Sequence, residues 1–157
     1  MNTNVNFLFA VIAVICIAFL AMLTRSCGGS KHPLPAYFDR TLNVDSAAGQ
    51  GKPVLVFVGA DWCPACNTLK GGALADRRVE KWVREHAVPV FVDATILREG
   101  DDTSLLLTRL GTEAFPDLIL MRQKQVVARL TGAVRTKELL RWLDQHGKEP
   151  VPAAPAG

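Results

Sequence analysis

A chain of 157 residues supports one folded domain and little besides. Its formal net charge of +3 comes from basic residues scattered along the sequence, which excludes the concentrated basic face that nucleic acid binding requires. Apolar residues make up 49% of the chain, a share raised by the N-terminus.

Phe7 to Leu23 are apolar without a break. With Val5 and Thr24 added, a helix rising about 1.5 Å per residue reaches roughly 30 Å, the thickness of a bilayer's hydrocarbon core. A core helix in a small domain would show a polar face, and this run has none. Residues 5–24 are therefore expected to be a transmembrane anchor. A cleaved signal peptide is the alternative, although M-N-T-N-V-N carries no Lys or Arg and no A-x-A site follows. Arg25, Lys31 and Arg40 lie after the run, and the positive-inside rule then puts the rest of the chain on the cytoplasmic side. Residues 25–36, including S-C-G-G-S-K-H-P-L-P-A, read as a Gly/Pro-rich linker. Residues 148–157 read as a flexible Pro-rich tail, which leaves 37–147 for the domain.

Within that domain, Val54 to Val58 is a continuous apolar, β-branched run, the pattern of a strand buried on both faces. From Trp62, apolar positions recur at Cys66, Leu69 and Ala73, one face of a helix. Val79, Trp82, Val83 and His86 make a second helical stripe, and Val88 to Val92 a second buried strand. Asp101 to Ser104 supply capping residues for a helix holding Leu105 to Leu107 and Leu110. Leu118 to Met121 and Val126 to Leu130, separated by R-Q-K-Q, read as a hairpin. A last helix over Thr136 to His146 turns Leu139, Leu140, Trp142 and Leu143 inward. The order implies an α/β sandwich: a central mixed sheet with helices on both faces.

Cys63 and Cys66 fall where the first strand gives way to a helix. Pro64 suits the first helical turn, where its missing N–H costs nothing. Cys63 then lies at the helix N-terminus, where unpaired N–H groups and the helix dipole favour a thiolate. Cys66 lies one turn further in, close enough for a disulfide. The asymmetry predicts a nucleophile and a resolving thiol: Cys63 attacks a substrate disulfide, and Cys66 then displaces the reduced substrate. Zinc requires two further ligands, yet Cys16 and Cys27 lie in and beside the apolar run and His32, His86 and His146 are dispersed. No metal or other cofactor is expected. A non-catalytic binding or assembly module, and a metal-delivery protein, are the alternatives.

G-K-P-V-L-V-F-V-G-A-D-W-C-P-A-C, then F-P-D-L-I-L, then L-T-G-A-V-R-T-K-E-L-L-R-W-L resemble the thioredoxin superfamily over about Asp45 to His146. The A-D-W-C-x-A-C form and F-V-D-A-T-I-L-R-E-G-D-D-T-S-L-L-L-T-R-L-G are most similar to the C-terminal periplasmic domain of DsbD-type thiol:disulfide interchange proteins. The resemblance implies a cis peptide before Pro116, facing the cysteine pair, and a landmark glycine at Gly132. It implies a substrate groove of Trp62, Pro64, Phe115 and Pro116, protein thiols and disulfides as partners, and a membrane electron donor. It also implies a periplasmic domain on the bacterial inner membrane, against the charge count above. The chain departs from the family at four positions. Phe57 and Lys70 stand where acids help manage the buried thiol's proton, Asp117 stands where threonine follows the cis proline, and the bulky Phe115 precedes that proline, so substrate docking in the groove is expected to differ from the family's. Lys70, if it faces the site, favours thiolate. Asp61 either lends a carboxylate to the site or serves as a solvent-facing turn residue.

Overall fold

A computed structural model describes residues 12–17 and 31–148. The chain divides into two compact units at Ser30, and the domain lies in Lys31–Gly157. Residues 12–17 are helical with exposed side chains, Cys16 among them as a free thiol. Among the described residues no helix is long and apolar enough to cross a membrane. Most of the expected anchor over 5–24 lies outside the described residues, as do Cys27, the start of the expected linker and nearly all of the expected tail.

The sheet contains β1 (Val54–Gly59), β2 (Val88–Asp93), β3 (Asp117–Arg122) and β4 (Gln125–Thr131) in the order β2-β1-β3-β4. β1 runs parallel to β2 and antiparallel to β3, so the sheet is mixed. All six residues of β1 are buried, as a central strand covered on both faces requires. Alternate residues divide between two cores. Leu55, Phe57, Phe91, Leu118 and Leu120 face one, and Val54, Val56, Val58, Val90, Ile119 and Met121 face the other. The β3–β4 turn takes positive φ at Gln123 (47°) and Lys124 (65°), the twist a tight hairpin needs.

The helices are α1 (Val44–Ala48), α2 (Pro64–Gly71), α3 (Arg77–His86), α4 (Asp102–Leu110) and α5 (Thr136–Gly147). α1 and α4 cover the valine-rich face through Val44, Ala47, Leu107 and Leu110. α2, α3 and α5 cover the other through Cys66, Leu69, Val79, Val83, Leu139, Trp142 and Leu143. Asn43, Asp76 and Asp101 each cap a helix by accepting a backbone N–H. Sequence periodicity missed α1, because five residues carry barely one turn of pattern. The helix expected from Trp62 through Ala73 is shorter in fact. Pro64 and the cap at Cys63 start it two residues after Trp62, and Gly72 ends it before a 3₁₀ turn over Ala73–Ala75. Before α1, the strap of residues 31–40 lies across this side of the fold. Asp39 bridges to Val90 on the outer edge of β2, and the Tyr37 hydroxyl donates to the Leu74 carbonyl at 2.8 Å.

Candidate active site at the cysteine pair

The site forms at the C-terminal end of β1, where the parallel strands β1 and β2 stop and the chain turns into α2. Cys63 is the N-cap of α2 and Pro64 occupies its first turn. The two cysteines form a disulfide, with their Cα atoms 5.2 Å apart. The Cys66 backbone N–H donates to Cys63 Sγ at 3.1 Å. A backbone donor aimed at this sulfur favours negative charge on Cys63 over Cys66. Cys63 retains 4% exposure while Cys66 has none, so an incoming group meets Cys63 first.

The turn ahead of Cys63 is held by residues that sequence reasoning did not single out. Thr95 accepts the Asp61 N–H on its hydroxyl at 2.9 Å and the Trp62 indole N–H on its carbonyl at 3.1 Å. Asp93 in turn accepts the Thr95 N–H at 2.9 Å and its hydroxyl. The D-A-T order at the end of β2 is the signal for this clasp: an Asx turn whose threonine reaches across to the next strand's loop. Held this way, Trp62 stays 62% exposed and meets Phe115 edge-on, with ring centroids 5.9 Å apart.

The Phe115–Pro116 peptide is cis, as the resemblance implied. Phe115 packs against the core cluster that contains both cysteines. The Gly132 N–H donates to the Pro116 carbonyl at 2.8 Å, and its φ of 98° lies where a side chain would be strained. Asp117 does not face the groove. It is 1% exposed on the opposite face of the sheet, where it accepts from Arg129 and from the Thr131 hydroxyl at 3.0 Å. Arg129 also donates to the Leu110 carbonyl at the end of α4. The residue after the cis proline thus fastens the groove wall to β4 and α4. Removing the carboxylate leaves a partly buried guanidinium uncompensated. Because that side chain is 30% exposed, Asp117→Ala is expected to cost about 2 kcal/mol rather than the 3–5 of a fully buried pair. The shift of the urea midpoint against wild type measures it.

Asp61 and Lys70 come together. Lys70 sits in the last turn of α2, 5% exposed, with its ammonium 3.8 Å from Asp61 Oδ1. The Asp61 carboxylate is largely exposed. Asn67, also buried, donates to the Asp61 carbonyl at 3.5 Å, while its own side-chain oxygen has no partner among the described residues. Phe57 lies on the sheet face beneath the cysteines, fully buried between Phe38 and Phe91 at centroid distances of 5.8 and 5.2 Å. Among the described residues no group of His, Cys, Asp and Glu is placed to hold a metal ion. The arrangement can break and form one disulfide with an outside thiol.

Residues 42–147 match the Thioredoxin-like domain family. Thioredoxin C-3 of Corynebacterium nephridii is 36% identical over 94 residues, which are 60% of this chain and 58% of that protein. The thiol:disulfide interchange protein DsbD of Actinobacillus pleuropneumoniae serotype 5b (strain L20) is 29% identical over 101 residues, 62% of this chain but 17% of that protein. The chain therefore spans less than two thirds of the length of either relative. The oxidised C-terminal domain of Neisseria meningitidis DsbD has the same fold, with a TM-score of 0.56 at 24% identity over 65% of this chain and 88% of that one. A family match over most of the sequence, joined to a cysteine pair at the N-terminus of α2 and a cis proline at the start of β3, places this chain in the thioredoxin-like domain family.

Proposed function

We propose that the chain is a thiol:disulfide oxidoreductase, with Cys63 the nucleophile and Cys66 the resolving thiol, acting on disulfides of protein partners. The observation that carries this reading is the Cys63–Cys66 bond at the start of α2, with its only exposure at Cys63. Relatives named thioredoxin and thiol:disulfide interchange protein support it. In the reducing direction, Cys63 thiolate attacks a substrate sulfur and displaces the other as a thiolate. Cys66 then attacks Cys63 in the mixed disulfide, the Cys63–Cys66 bond forms, and the second substrate thiolate leaves and takes a proton from solvent. A dithiol donor, membrane-borne in this reading, restores the reduced pair. The groove beside Trp62 and Phe115 receives the substrate as an extended segment paired to the backbone before Pro116.

The reducing direction is favoured because Ala65, between the cysteines, adds no charge that would hold Cys63 strongly as thiolate. Residues 5–24 anchor the chain and the domain faces the periplasm; the apolar run and the likeness to DsbD support this, and the flanking charges oppose it. A membrane-impermeant maleimide applied to intact spheroplasts tests direction and side together, with the Cys63 peptide read by mass spectrometry. Labelling without added reductant is expected. Labelling only after reductant means an oxidant, and labelling only after lysis puts the domain in the cytoplasm. A binding module is the second reading, favoured by the non-acidic residues at Phe57 and Lys70. It requires partner binding that survives Cys63→Ser with Cys66→Ser.

A further inference from the structure

The side of the cysteine pair that faces the core is apolar: Phe57, Phe38, Phe91, Leu69 and Leu118 share its cluster. A thiolate on Cys66 would be created in these surroundings, and burial without a compensating charge pushes a thiol toward its neutral form. Lys70 is the buried cation on the same helix. It lies four residues after Cys66, one turn along the helix, and both side chains are buried. Neighbours at that spacing have Cβ atoms about 5–6 Å apart.

We propose that Lys70 supplies the positive charge that sustains the Cys66 thiolate in the resolving step, with Asp61 setting how much of that charge the sulfur feels. This rests on the oxidoreductase reading and specifies how its buried thiol is activated. Lys70 acts as a positioning charge, not as a proton acceptor: the Cys66 proton goes to solvent, and the ammonium stabilises the anion left behind. Asp61 approaches the ammonium at 3.8 Å, too far for a tight hydrogen bond, so its charge is offset without being fully absorbed. The other titratable groups facing Lys70 line the cleft between the strap and α2, namely His32, Tyr37 and Glu80. Burial, the largest cause, pushes the Tyr37 phenol well above its ordinary range, so it stays neutral. Glu80 is committed to Arg84 at 2.8 Å, and His32 packs over Gly71, the residue after Lys70. Asp61 is the carboxylate paired with Lys70.

The test follows the Cys66 Cβ chemical shift against pH by NMR in the reduced full-length chain carrying Cys63→Ser, so that no partner thiol titrates beside it. Against that background, Lys70→Met is expected to raise the Cys66 midpoint by about one unit or more, as loss of an opposite charge at this range does. Lys70→Arg restores it, and Asp61→Asn lowers it. With Cys63 present, the pH profile of mixed-disulfide resolution shifts upward in Lys70→Met by the same amount. An unmoved midpoint in Lys70→Met, or failure of Lys70→Arg to restore it, overturns the proposal. Thermal unfolding of each variant separates a lost fold from a lost charge, and Lys70→Gln repeats the neutral substitution should Lys70→Met not fold. If Cys66 titration is unmoved while wild type still turns over a protein disulfide, the charge assignment alone fails. If wild type never exchanges, the oxidoreductase reading fails first.

Discussion

Cys63→Ser is expected to abolish reduction of a protein disulfide such as that of insulin, by roughly three orders of magnitude or more, since removing a nucleophile leaves only background exchange. Cys66→Ser should behave differently: it attacks once and stops, accumulating as a mixed disulfide through Cys63. The assignment rests on two independent features of the site. Cys63 keeps 4% exposure against none for Cys66, and Cys63 Sγ accepts the Cys66 N–H at 3.1 Å. An incoming disulfide needs a straight approach to the attacking sulfur, which the buried thiol does not offer. A hydrogen bond to the sulfur, at the positive end of the α2 dipole, stabilises the charged form where the attack begins. Acid quenching, thiol trapping and mass spectrometry of the two variants decide the matter. An adduct carried by Cys66 in the Cys63→Ser chain would reverse the roles, and no adduct in either would remove the enzyme reading.

Much of this site was legible in the sequence because its parts are local. Pro64 between the cysteines fixes the helix start, and V-L-V-F-V before them fixes the strand, so Cys63 and Cys66 land in place from spacing alone. Pro116 and Gly132 came from resemblance, and the structure supplies the physical link between them, an N–H to carbonyl bond across β3 and β4. What stayed hidden depends on contacts between distant residues. Thr95 holds Asp61 and Trp62 from thirty-odd positions away, and no periodicity marks that clasp. Asp117 read as a change in the substrate groove, yet the strand's alternation carries it to the opposite face, toward Arg129. The burial of Lys70 in the last turn of α2 depends on the strap packed over it, which no local pattern shows.

Phe57→Asp is expected to be the most damaging single change in the core, although it installs the acid that the wider superfamily commonly carries there. Two effects oppose each other. A carboxylate near Cys66 would accept its proton, but the surroundings have been rebuilt around a ring. Phe57 is fully buried, Phe38 and Phe91 pack against it, and a side chain on Gly59 would meet its ring at 3.0 Å. Emptying such a site costs about 3–5 kcal/mol in lost burial and residual cavity. An unpaired carboxyl in the space adds roughly 1–3 kcal/mol even when protonated. Against a total stability of about 5–15 kcal/mol for a domain of ordinary size, packing outweighs any chemical gain. Phe57→Leu, which keeps an apolar group, should cost much less and leave exchange intact. Urea midpoints of the two variants measure the difference. Near-wild-type stability in Phe57→Asp would mean that water or a cationic partner reaches beneath Cys66. The resolving thiol could then be activated from below, without the charge of Lys70.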